Sequence, residues 1–169
     1  MPWTTAMLML DPQPLSDTAF APFGHVISGT SGSGRPINHG SSQRVDLPGA
    51  LALQAGGGQP VLAVFRAQAQ APHGPWRELE RHRLGSQSFI PLRGARCIVL
   101  VALGEHAPDP ATLAAFVVDG GQGFTLRAGT WHHPLIALDS GDFVVLERQG
   151  EAVDCEVQHL AEPVALRWA

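Results

Sequence analysis

Apolar and polar positions along this chain alternate in short runs, and glycine or proline closes most of them. A period of two over about five to eight residues marks a strand with one face buried. The pattern predicts strands over residues 61–66 (VLAVFR), 76–82, 87–92 (QSFIPL), 123–127, 132–138, 142–148 and 155–160. Residues 96–102 (RCIVLVA) form a run that reads as buried on both faces. Within 76–82 the alternation puts Trp76, Glu78, Glu80 and His82 on one face. Helical signals are few. Ser16 can cap a short helix over 17–21, closed by Pro22 and Gly24. Asp109-Pro110 opens a second helix over 111–117, stopped at Gly120-Gly121. The glycine/serine stretch at 28–35 reads as a mobile loop, and 55–58 as a flexible turn. Short strands at regular spacing with two short helices predict an all-β barrel or sandwich. With no repeat and no linker, residues 1–169 read as one domain.

Composition narrows the chemistry. All 11 basic residues are arginine, and the chain has neither lysine nor tyrosine. That excludes Schiff-base chemistry, a phosphate-loop lysine and a tyrosine acid or base. A net charge of −4, with no basic run, argues against a nucleic-acid partner. Two cysteines, Cys97 and Cys155, are too few for a disulfide scaffold and read as free thiols of a reducing compartment. No apolar run approaches the roughly 18 residues of a membrane span. The apolar opening from Met1 to Leu10 lacks the basic start and cleavage site of a signal peptide. The expected location is the cytoplasm.

Two stretches hold the candidate chemistry. In the first, Glu80 and His82 share a strand face, Gln87 can return to it after the turn at Gly85-Ser86, and Gly94 follows. In the second, Gly129 permits a tight turn into Trp131, His132 and His133, whose two imidazoles then point to opposite faces. Glu80, His82, Gln87 and Gly94, followed by Gly129 and His132, resemble the two motifs of the cupin superfamily. Glu80 stands where that pattern has a histidine, and Gln87 where it has a glutamate. Longer blocks resemble the ureidoglycolate lyase family: Glu80-Arg81-His82 with 84–92 (LGSQSFIPL), Trp131-His132-His133-Pro134-Leu135, 19–24 (AFAPFG), 65–68 (FRAQ) and 110–116 (PATLAAF). They run in order over about residues 15–155. Two blocks depart from the family: Leu126-Arg127 replaces a Tyr-His pair, and Asn38-His39-Gly40 replaces Asn-Asn-Gly.

The resemblance implies a cupin-type double-stranded β-helix (jelly-roll barrel), usually a homodimer. It implies cleavage of (S)-ureidoglycolate to glyoxylate and urea with a divalent metal, nominally nickel. The substrate is a small anionic ureido acid that collapses as a hemiaminal. Such a reaction needs a base near neutral pKa, an arginine for the carboxylate and, where present, a Lewis acid. On that footing Glu80, His82, Gln87 and His132 are the metal ligands, with His82, His132 and Gln87 catalytic. Without a metal, His132 and His82 serve as base and acid. Arg66, then Arg44, is assigned the substrate carboxylate, Asn38 and His39 the urea group, and His133 a supporting substrate contact. Arg81, Arg83 and Arg93 read as solvated or interface charges. Two other readings stay open: a cupin enzyme for another small hydroxy or keto acid, motivated by Leu126-Arg127, and a non-catalytic small-molecule binder, motivated by Gln87.

Overall fold

The computed structural model describes residues 6–30 and 32–169. Residues 1–5 of the apolar opening, and Ser31 of the glycine/serine loop, lie outside the described residues. In chain order the strands are β1 (Leu8–Leu10), β2 (Gln13–Pro14), β3 (Gly24–Ile27), β4 (Arg35–Ile37), β5 (Ser42–Arg44), β6 (Gln59–Ala67), β7 (Trp76–Arg81), β8 (Gln87–Pro91), β9 (Cys97–Ala102), β10 (Ala114–Val118), β11 (Gly123–Leu126), β12 (Trp131–His132), β13 (Ile136–Ala137), β14 (Gly141–Gln149) and β15 (Glu156–Leu166). The α-helix α1 (Asp17–Phe20) is capped by the Ser16 side chain as predicted.

The strands form an all-β, cupin-like pair of sheets. One sheet runs β1-β15-β7-β12-β9-β10-β2, with β13 also on β9; the other runs β3-β11-β8-β14-β6; β4 and β5 form a separate hairpin. Alternation along β9 explains why both its faces are buried. Cys97, Val99 and Val101 join Phe89, Phe124, Phe143 and Val145 in the core between the sheets. Ile98, Leu100 and Ala102 point the other way, into a second cluster with Leu79, Trp131, Ile136 and Val164. At about 1.5–3 kcal/mol per buried large apolar side chain, these two clusters supply most of the force that closes the fold.

Four expectations need correction. The second helix does not form: Asp109 accepts from the Ala111 amide, but the turn ends after Pro110–Thr112, and β10 follows. Residues 114–118 pair antiparallel with β9 from Ala114↔Val101 to Val118↔Cys97, and that tertiary ladder outweighs a weak local helix signal. The strand over 132–138 is broken into β12 and β13, and Pro134, which has no N–H to give, lies in the break. Trp76 leaves the Glu78/Glu80/His82 face and packs with Leu79, because β15 shifts register between His159 and Val164 opposite this end of β7. The turn at Ala55–Gly57 is tied down, since Arg148 Nε donates to the Ala55 carbonyl at 2.6 Å.

Candidate functional site

The site forms where β7, β12 and β8 bring their inner faces together. His132 is the register partner of Glu80 on β7 and of Val101 on β9. Directly opposed residues share a face with Cβ atoms about 4.5–5.5 Å apart, so the two side chains must meet. His132 Nε2 lies 3.5 Å from Glu80 Oε1. That is long for a hydrogen bond, and the Nε2 atom is counted without one. His82 follows the end of β7, and its ring centroid is 5.4 Å from that of His132. One ligand atom from each of Glu80, His82 and His132 falls within a 4.8 Å cluster that could hold a metal ion.

Each imidazole has a fixed tautomer. Nδ1 of His82 lies 2.6 Å from the Asp154 carbonyl, and Nδ1 of His132 lies 3.0 Å from the Thr130 carbonyl. A carbonyl only accepts, so both Nδ1 atoms carry a proton, and in the neutral rings both Nε2 atoms carry a lone pair. Among the described residues, the buried side-chain polar atoms with no hydrogen-bond partner are His82 Nε2, His132 Nε2 and Gln87 Oε1. Orphaned buried acceptors are costly and rare, and three on facing strands mark a site built for something else. The clustered residues therefore fit a divalent cation, with two imidazole nitrogens and one carboxylate. Contact with His132 holds the Glu80 carboxyl below its ordinary value although burial acts the other way. Glu80 thus stays an anion, as a ligand or as the counter-charge to an imidazolium.

The local backbone explains the placement. Gly129 takes φ +87°, and its amide donates to the His82 carbonyl at 2.7 Å, which ties the two motifs together. The Asp154 carboxylate accepts from the Arg83 and Leu84 amides at 2.9 and 2.8 Å, fixing the turn after His82. A cavity of about 420 Å³ is lined by Glu80, His132, Gln87, Phe65, Arg66, Phe89 and Leu135, among others. Among the described residues Arg66 is the only arginine in its lining. Its side chain is 85% exposed and pairs with Asp142 at 3.0 Å. A larger cleft alongside, lined by Arg66, Arg93, Asp139 and Asp142, has no histidine or cysteine in its wall. Its carboxylates are already paired, to Arg96 and Arg66.

The other predicted residues go elsewhere. Arg44 pairs with Asp46 at 2.7 Å, and Asn38 and His39 form the tip of the β4–β5 hairpin; none of the three lines the cavity. Their spacing in sequence carried no information on which way the hairpin projects. His133 points away from His132 as expected: it packs on Trp76, with ring centroids 5.9 Å apart, and burial lowers its pKa. Arg81 is not a solvated charge. It is 3% exposed, stacks 4.2 Å from the Trp131 ring centroid and donates to Glu156 and to the Gly104 carbonyl. Arg83 is exposed and pairs with the same Glu156, and Arg93 is exposed in the turn between β8 and β9. Arg127 donates to the Ala21 and Pro22 carbonyls just past α1, and Leu126 lies in the core opposite Gln87. Sequence reasoning missed Glu147, which accepts from Gln87 Nε2 at 2.8 Å. A signal existed: Glu147 continues the alternation of Phe143 and Val145, so its carboxylate had to face inward.

Comparison with known proteins extends the match beyond these motifs. The family model described as ureidoglycolate lyase matches residues 7–167. The ureidoglycolate lyase of Burkholderia cepacia is 40% identical over 158 residues, covering 92% of this chain and 86% of that protein. That of Azotobacter vinelandii is 38% identical over 157 residues, covering 92% and 95%. That of Stutzerimonas stutzeri is 38% identical over 157 residues, covering 92% of each.

Proposed function

Since this chain belongs to the ureidoglycolate lyase family, we propose that it cleaves (S)-ureidoglycolate to glyoxylate and urea, as an amidine-type carbon–nitrogen lyase of allantoin breakdown in the cytoplasm. The observation that carries this at the site is the pair of buried, partnerless Nε2 lone pairs beside an ionised Glu80. Glu80, His82, His132 and the Gln87 amide oxygen would hold a divalent ion, nickel by family likeness. Such an ion would supply Lewis acidity that lowers the pKa of the substrate hydroxyl.

The chain's own groups do the rest. In protein carrying no ion, His132 Nε2 takes the hydroxyl proton. The O–H electron pair becomes the carbonyl of glyoxylate as the C–N bond breaks. The departing urea nitrogen takes a proton from the Nε2 of the imidazolium form of His82. Glu80 places a carboxylate oxygen 3.5 Å from His132 Nε2, and the Nδ1–carbonyl bonds keep both rings from turning. The purified protein should release urea and glyoxylate in equal amounts from ureidoglycolate. Failure to release either product would reject this function.

Arg66 is assigned the substrate carboxylate. Its pair with Asp142 lies at the surface, where solvent screening leaves it weak, so the guanidinium is free to turn toward the cavity it borders. Arg66→Ala should raise KM about tenfold or more, the equivalent of one lost charge-assisted contact. An unchanged KM would remove the assignment. The departure at Arg127 gives no support to a different substrate, because that guanidinium is engaged beside α1 and is absent from the cavity wall.

The working form is assigned as a homodimer. On the outer face of the five-stranded sheet Leu62 is 72% exposed, Val64 55% and Ile90 39%. Val64 and Ile90 flank Val144 in register, so the apolar positions lie side by side. A contiguous apolar patch of this kind is the sort of surface that association covers. Sedimentation should give about twice the 17.9 kDa chain mass, and Leu62→Arg should lower it. A monomer for the unaltered chain would exclude the assignment.

A further inference from the structure

We infer that Glu147 is a positioning residue, which sets the Gln87 amide so that its oxygen, and not its NH2 group, faces the Glu80/His82/His132 cluster. Gln87 and Glu147 are direct register partners on β8 and β14. Gln87 is 6% exposed, its Nε2 donates to Glu147 Oε2 at 2.8 Å, and its Oε1 is buried without a partner. The two ends of a carboxamide are nearly alike in shape and opposite in hydrogen-bonding character. Packing alone therefore discriminates poorly between the two orientations. A carboxylate only accepts, so it can hold only the NH2 end, with a charge-assisted bond.

The same logic governs the histidines. The Asp154 and Thr130 carbonyls each hold a donor Nδ1, leaving a lone pair at each Nε2. Three outer acceptors thus turn three inner ends into acceptors, and Glu80 adds an anion. A set of four acceptors complements a cation. If the amide turned over, Gln87 would present N–H to that cation and the set would lose a ligand. Glu147 acts through Gln87 and needs no contact with the ion or the substrate.

This inference rests on the reading of the cluster as a metal site, and the test separates the two. Nickel ion alone is titrated calorimetrically into the chelator-stripped full chain. Glu147→Gln can hold either end of the Gln87 amide, and its nickel affinity should fall about 10–100-fold, the usual cost of losing a ligand's supporting partner. Glu147→Ala should give a similar loss, and serves as the test if the glutamine variant folds poorly. In a Gln87→Leu background Glu147→Gln should have no further effect. That coupling distinguishes positioning from a general field of the Glu147 charge, which would act in both backgrounds. Wild-type affinity in Glu147→Gln, or an equal loss in the Gln87→Leu background, overturns the inference alone. Absence of nickel uptake by the unaltered chain overturns the metal reading and the inference together.

Discussion

His132→Ala should lower the rate of ureidoglycolate cleavage by about 10²–10⁴-fold, the range of a lost acid–base group, and leave the melting midpoint nearly unchanged. The rate effect follows from position. His132 is 3% exposed, opposes Glu80 in the ladder and points a partnerless Nε2 at the cavity. Whether that lone pair binds an ion or takes a proton, alanine removes it. The small stability effect follows from the same fact. An imidazole with an unsatisfied buried nitrogen adds little to folding, and deleting it removes the penalty along with the group. The bond it gives up, Nδ1–H to the Thr130 carbonyl, is worth only about 1 kcal/mol net. Glu80 provides an internal check. Contact with His132 is the main influence lowering its pKa, with burial opposing. In the variant its carboxyl should therefore titrate higher, observable by carbon-detected NMR. Wild-type turnover by His132→Ala would discard both chemical roles for this ring.

Arg81→Met should destabilise the fold on the order of 3 kcal/mol near neutral pH. For a chain of this size that is roughly 6–12 °C in the melting midpoint. Methionine keeps an apolar stem against Trp131 but leaves the Gly104 carbonyl with only the Trp131 Nε1 donor and Glu156 with only Arg83. The deficit should also depend on pH. Arg81, and secondarily Arg83, hold the Glu156 carboxyl down to about 2, against an ordinary 4.5. A depressed carboxylate contributes its full stability above the unfolded value, and loses it as pH falls through the folded one. The gap between wild type and Arg81→Met should thus be widest above pH 4.5 and narrow toward pH 2. Melting curves at neutral pH and at acid pH test this. An equal gap at both would mean that the loss comes from packing on Trp131 and not from the ion pair.

Arg81 also shows where reading a sequence stops. Among alternating charges in Glu80-Arg81-His82-Arg83 nothing singles out the buried one, because both faces of this strand look equally polar. Burial comes from outside the segment: Trp131 offers its ring, and Glu156 and the Gly104 carbonyl supply acceptors from distant parts of the chain. Asn38, His39 and Arg44 illustrate the opposite failure, where plausible chemistry sits on a hairpin that does not reach the cavity.

What the sequence determined by itself is whatever depends on short-range repetition. Period-two alternation placed most of the strands, Ser16 placed α1, and the motif positions Glu80, His82 and His132 are three groups that the fold brings into one cluster. Strand geometry converts the Glu80/His82 interval directly into a shared face, and His132 joins it through its register with Glu80. Only the tertiary structure decided three things: that residues 114–118 extend as β10 beside β9, that Glu147 turns the Gln87 amide, and that the Asp154 and Thr130 carbonyls fix the imidazole tautomers. All but one of these contacts join a partner distant in the chain, the exception being the Thr130 carbonyl two residues before His132, and in two of the three cases the bonding groups include backbone atoms that every residue carries. Sequence identity specifies side chains, but which carbonyl stands behind which ring is set only when the strands have found their register.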